Sequence, residues 1–149
     1  MSRTIAESVT LYFQNLLNQE GFHRGEVHWD DDAQTSDLVF KAEGRSYILI
    51  ADADDADFVR LVFPNFWSLE SDEEFAAALQ AISIVNGRCK GAKVHATSKN
   101  DNIIATAEFL ISADSPQIKG SLFIRYIHML NNAAQEFGRI MREFSEPES

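Results

Sequence analysis

The sequence predicts a single α+β domain in the order helix–three strands–helix–two strands–helix, with helices packed on an antiparallel sheet. Three observations predict it. Apolar residues recur at helical spacing towards both ends of the chain, short apolar runs between polar turns lie in its middle, and one capped-helix signature divides those runs. The 149 residues, 45% hydrophobic and 24% charged, have the size and composition of one globular domain. With no internal repeat, linker or low-complexity stretch, residues 1–149 read as one unit.

Residues 3–19 form the first helix, with Ile5, Val9, Tyr12 or Phe13, and Leu16 on one stripe and Gly21 placed to end it. The acid-rich segment Glu26–Ser36 reads as a loop whose one large apolar residue is Trp29. Leu38–Ala42 and Ser46–Ala51 then alternate as a hairpin across Glu43, Gly44 and Arg45. A polar turn leads to a third strand, Phe58–Phe63, which Pro64 and Asn65 are expected to stop. Ser71 and Glu74 have the spacing of a capping box, and the helix they open runs to Asn86 with Gly87 just past its end. Lys93–Ser98 and Ile103–Ile111 form a second hairpin. Ser115 is placed as an N-cap with Pro116 at the first helical position. The last helix continues to about Phe144 on a stripe that includes Ile118, Tyr126, Met129 and Phe137, and Ser145–Ser149 is expected to fray.

Charge excludes some partners. The net charge is −10 at pH 7, and ten acids between Glu26 and Asp57 face only Lys41 and Arg45. The bias reverses between Arg88 and Lys99, where Lys90 and Lys93 also lie and no acid occurs. Affinity for nucleic acid and anionic membrane rests on Lys and Arg, so neither is expected as a partner. No stretch approaches the roughly 20 apolar residues of a membrane span. The first residues lack the continuous apolar segment of a signal peptide. One cysteine, Cys89, leaves no internal disulfide, so a cytoplasmic location is expected.

Motifs of catalysis are missing from the sequence. The seven glycines form neither a dinucleotide fingerprint nor a P-loop. His23, His28, His95 and His128 lack the paired spacing of a metal site. Asp52, Asp54, Asp55 and Asp57 fail as a calcium loop, because Asp57 stands where glycine is needed and Phe63 where a bidentate acid is needed. Cys89 has Arg88 and Lys90 beside it, a setting that lowers a thiol pKa, but no base is identifiable. No catalytic residue, metal ligand or cofactor is assigned, and the expected role is binding, not enzymatic.

One feature points to where binding occurs. Tyr47 and Leu49 alternate with Ile48 and Ile50, and Val59, Leu61 and Phe63 alternate with Phe58 and Val62, so two strands are apolar on both faces. A sheet with helices on one side and water on the other alternates apolar with polar. The second face therefore needs a cover: the last helix, a second copy of the chain, or a client segment. Ile48, Ile50, Val59, Leu61, Phe63, Phe66 and Trp67 form the candidate protein-interaction surface. The competing reading is a small-molecule or enzymatic pocket between the sheet and the last helix, lined by Tyr12, Trp29, Tyr47, His95, Tyr126 and His128.

The segment from Asp52 to Glu108 carries a resemblance. Its acidic turn and strand Asp57–Pro64, its capped helix ending Ile82-Ser-Ile-Val-Asn86, and its Gly91-Ala-Lys-Val94 hairpin entry resemble the YbjN family. Those bacterial proteins share the fold of type III secretion chaperones, which are likewise small and acidic and end in an amphipathic helix. The resemblance implies a homodimer and a non-enzymatic role, either chaperone-like towards an extended client segment or regulatory. It assigns no individual binding residues.

Overall fold

The computed structural model describes residues 2–145. Its elements are α1 (Ser2–Gln19), β1 (Glu26–Asp30), β2 (Thr35–Ala42), β3 (Arg45–Asp52), β4 (Asp55–Ser68), α2 (Asp72–Arg88), β5 (Lys93–Ala96), β6 (Asn102–Leu110) and α3 (Gly120–Ser145). Six antiparallel strands form one sheet in the order β1-β2-β3-β4-β6-β5. The expected α+β architecture is therefore present, with one strand more than the sequence reading. The four residues beyond Ser145 that were expected to fray lie outside the described residues.

The extra strand is β1, read above as a loop. Its acids obscured a period-two pattern: Val27 and Trp29 lie opposite Leu38 and Ser36, while Glu26, His28 and Asp30 point the other way. Gly25 makes the entry possible, because φ is +76° there and a Cβ would strike the Val39 carbonyl and Phe40. β4 also runs past its expected stop. Phe63 pairs with Ala105 and Trp67 with Ile103, so Pro64, Asn65 and Phe66 oppose the single residue Ile104. This is a bulge, the one place in a central strand where a proline need not donate to the ladder.

All three helices pack on one face. α1 lies over β2 and β3, α3 over β6 and β4, and α2 over β5 beside α3. Strand parity then selects the core: Leu38 and Phe40, Tyr47 and Leu49, Val59 and Leu61, and Ile103 and Ala105 all face the helices and are buried. Against them α1 buries Val9, Phe13 and Leu17, and α3 buries Phe123, Ile127, Leu130 and Phe137. One polar pair crosses this interface, where the hydroxyls of Thr10 and Ser36 lie 2.7 Å apart and satisfy each other.

The helix ends show what sequence grammar can specify. Ser71 Oγ accepts from the Glu74 N–H, as the capping box requires, and Glu74 Oε1 accepts from the Glu70 N–H. Gly87, however, lies inside α2, which continues to Arg88. α3 starts at Gly120 and not at Pro116, because Ile118 is held out of the helix. The Tyr12 hydroxyl accepts from the Ile118 N–H at 2.9 Å and donates to the Ile118 carbonyl at 3.2 Å. Tyr12 thus ties the approach to α3 onto α1. Replacing it with phenylalanine strands both backbone groups, so Tyr12→Phe is expected to cost about 1–2 kcal/mol in urea denaturation. An unchanged midpoint would mean that water replaces the clamp at no cost.

Candidate functional site

Because the helices take one face of the sheet, the other is left without a protein layer among the described residues. Cross-strand partners share a face, so the ladders define what lies there. One row runs Glu26, Val39, Ile48, Val62, Thr106, Lys93. The next runs His28, Asp37, Ile50, Arg60, Glu108. Phe58 pairs with Leu110 below them, and Ile104 pairs with His95 above. Seven large apolar side chains therefore occupy this face: Val39, Ile48, Ile50, Phe58, Val62, Ile104 and Leu110. Val39, Phe58 and Leu110 are 40%, 38% and 70% exposed, while Val62 in a central strand is nearly covered by its neighbours.

The sequence-derived surface divides between the two faces. Ile48 and Ile50 lie on the uncovered one, half-buried. Val59 and Leu61 do not; both are 0% exposed under the helices, and no partner can reach them. Phe63 and Phe66 stack on each other, and Phe66 and Trp67 meet the edge of Phe137 in α3. They cap the core where β4 bulges. Phe58, Leu110, Val39 and Ile104 belong to the uncovered face but were not chosen from sequence. Alternation in β6, with Ile104 opposite in parity to Ile103 and Ala105, was the available signal.

The six residues of the competing pocket reading do not line one cavity between sheet and last helix. Tyr126 stacks on Phe109 at 4.5 Å between ring centroids, and Tyr47 stacks on Phe40 at 5.7 Å. Tyr12 is spent on Ile118. Trp29 carries the Arg3 guanidinium 4.7 Å from its ring centre, His128 pairs with Glu43 at 2.9 Å on the surface, and His95 lies on the opposite face of the sheet. These six residues do not converge. Among the described residues no group of three or more His, Cys, Asp or Glu side chains could hold a metal ion, and no helix is long and apolar enough to cross a membrane. Cys89 is also corrected: burial raises its thiol pKa, Glu136 raises it further, and Lys93 and Arg88 only partly oppose them.

The sheet edges differ in availability. At β5 the Asn86 side chain imitates a neighbouring strand, its Oδ1 accepting from the Val94 N–H at 2.8 Å and its Nδ2 donating to the Val94 carbonyl at 3.0 Å. Lys93 Nζ caps the Asn86 and Cys89 carbonyls at the end of α2. This edge is closed. β1 has a strand neighbour on one side only, and its outward Glu26, His28 and Asp30 discourage casual strand addition.

Comparison with known proteins gives likeness of fold. No protein-family model matches the chain, and no curated protein matches it in sequence. The crystal structure of an uncharacterized protein from Methanothermobacter thermautotrophicus is similar, with a TM-score of 0.63 and 14% identity over 91% of this chain and 97% of that one. A crystal structure of YbjN from E. coli is also similar, with a TM-score of 0.49 and 11% identity over 89% of this chain and 87% of that one. At 14% identity, the likeness to the archaeal protein is one of fold alone.

One carboxylate on the uncovered face is held at a cost. Burial raises the pKa of Asp37 above its ordinary 3.8, only partly offset by the hydrogen bond from Thr35 Oγ1, and nearby Asp30 raises it further. The folded chain therefore keeps a proton there that the unfolded chain has released, and stability falls as pH rises from 3.8 through the folded pKa. Asp37→Asn, which keeps an acceptor for Thr35, is expected to stabilise the protein at neutral pH and to lose that advantage at about pH 3.5. Denaturant midpoints at both pH values measure this. The gain should exceed that of Asp54→Asn in an exposed turn, and a variant weaker than wild type at neutral pH would contradict the assignment.

Proposed function

We propose that this chain is a non-enzymatic protein-interaction module of the bacterial cytoplasm, chaperone-like or regulatory, that acts as a homodimer through the uncovered face of its sheet. The observation that carries the reading is the set of seven apolar side chains on a face with no helix over it among the described residues. Each buried Å² of such surface is worth roughly 25 cal/mol, and exposed apolar patches of this kind mark interaction sites. A second copy offers the same face, and two twisted sheets stack with their strands nearly aligned at about 10 Å.

Binding is favoured over catalysis by how the reactive groups are used. The Cys89 thiol is pushed away from the thiolate form, His128 is tied to Glu43, and Tyr126 is stacked on Phe109. The closed β5 edge turns the reading towards face-to-face packing and away from strand addition at that side.

Sedimentation velocity tests the reading. The wild-type chain is expected to sediment as a dimer at micromolar concentrations, and Phe58→Lys combined with Leu110→Lys to give a folded monomer. Both positions are exposed in the single chain, so the substitutions should leave the melting temperature of the monomer within a few degrees. A wild-type chain that stays monomeric at tens of micromolar would overturn the dimer.

A further inference from the structure

We propose that two grooves flanking α3, on the side of the molecule away from the uncovered sheet face, form one site for an extended acidic segment of a partner protein. The inference concerns a different surface from the proposed dimer and does not depend on it. One groove, of about 540 Å³, lies between α3 and the β4 bulge and carries Arg45, Arg139 and Arg142. The other, also about 540 Å³, lies between α3 and the end of α2 and carries Arg88, Lys90 and Arg125. They meet at Asn132 and Glu136, which line both.

The charge placement is unlike the rest of the chain. Six of its thirteen lysines and arginines line these grooves, and Glu136 is the one acid that lines either, on a protein of net charge −10. Glu136 binds Arg139 and reaches Arg88 at 3.6 Å, bracing one guanidinium from each groove. Among the described residues no carboxylate lies within 4.0 Å of Arg45, Lys90, Arg125 or Arg142. Five of the six cations are arginines, whose planar donors match carboxylates in pairs.

Length and composition identify the occupant. Arg125 and Arg142 are seventeen residues apart on one helix, a rise of about 25 Å. That exceeds a small metabolite and matches about eight residues of extended chain. The first groove has Phe63, Phe66 and Trp67 at its wall, which an apolar side chain can cover. A nucleic acid carries a phosphate at every step and would pass Glu136 where the grooves meet, whereas a peptide can place an uncharged residue there. A long polyanion would also meet the acidic bulk of the protein beyond the site.

The test is fluorescence anisotropy with a labelled peptide of about eight residues, alternating Asp and Glu around a central Phe. Binding is expected to weaken with salt and to fall about tenfold or more in Arg45→Glu combined with Arg142→Glu. Lys90→Glu with Arg125→Glu, in the other groove, should show the same loss and serves if the first pair melts early. Phe58→Lys with Leu110→Lys should bind as wild type does, which separates this site from the dimer face. Absence of binding at tens of micromolar, or equal binding by folded groove variants, would overturn the proposal. So would tighter binding of an oligothymidylate of equal length. Salt-sensitive self-association that the groove variants abolish, without peptide binding, would assign the grooves to a second copy and also overturn it.

Discussion

The structure depends on one connected set of aromatic contacts. Phe13 from α1 meets Tyr12, Phe109 and Phe123; Phe123 meets Phe40, Phe40 meets Tyr47, and Tyr47 meets Phe63. From Phe63 the series continues through Phe66 and Phe137 to Trp67, and Tyr126 joins it at Phe109. Edge-to-face and offset contacts of this kind each add about 0.5–1.5 kcal/mol beyond the area they bury. The set links α1, α3 and four central strands, so it fixes which face of the sheet the helices occupy.

That choice of face has a consequence for function. Once most of the aromatics are committed under the helices, the remaining apolar residues of the strands are left on the other side with nothing over them among the described residues. Ile48, Ile50, Val62 and Ile104 shield one another partly, while Leu110 and Phe58 at the margin do not. Asp37 sits among them as a carboxylate that has lost part of its water, with one hydrogen bond from Thr35 in return. The acids of the β1–β2 and β3–β4 turns gather at one end of the sheet, where the Ala53 N–H donates to the Gln34 carbonyl. Six of the thirteen basic residues line the grooves beside α3. A molecule arranged this way presents two surfaces of unlike chemistry on opposite sides of its core.

Much of the fold was legible in the sequence, and the failures have physical reasons. The α2 cap was readable because Ser71 and Glu74 act within one turn of the chain. The α3 helix was readable from its helical spacing, but the first half of its stripe was set one position off: Phe123, Ile127 and Leu130 are buried, whereas Tyr126 and Met129 are only partly so. β1 was missed because acid density outweighed a five-residue alternation. The start of α3 was missed because Tyr12, more than a hundred residues earlier, decides it. For the interaction surface, period-two alternation separates Ile48 and Ile50 from Tyr47 and Leu49 but cannot say which set the helices will cover. Val59 and Leu61 were assigned to the surface for that reason, and only the packing of Phe13 and Phe123 settles the parity. Cys89 was misjudged because neighbours in sequence, Arg88 and Lys90, weigh less than burial and the Glu136 carboxylate.

The central claim is that the uncovered sheet face is covered in solution by a second copy. Methyl-resolved nuclear magnetic resonance with a soluble paramagnetic agent tests it directly, since the agent broadens methyls that it can reach. The account predicts that Leu110 and Val39, exposed in the single chain, are protected at tens of micromolar while Leu11 and Leu79 on the helices are broadened. Broadening of Leu110 and Val39 to the same degree as Leu11 would contradict it.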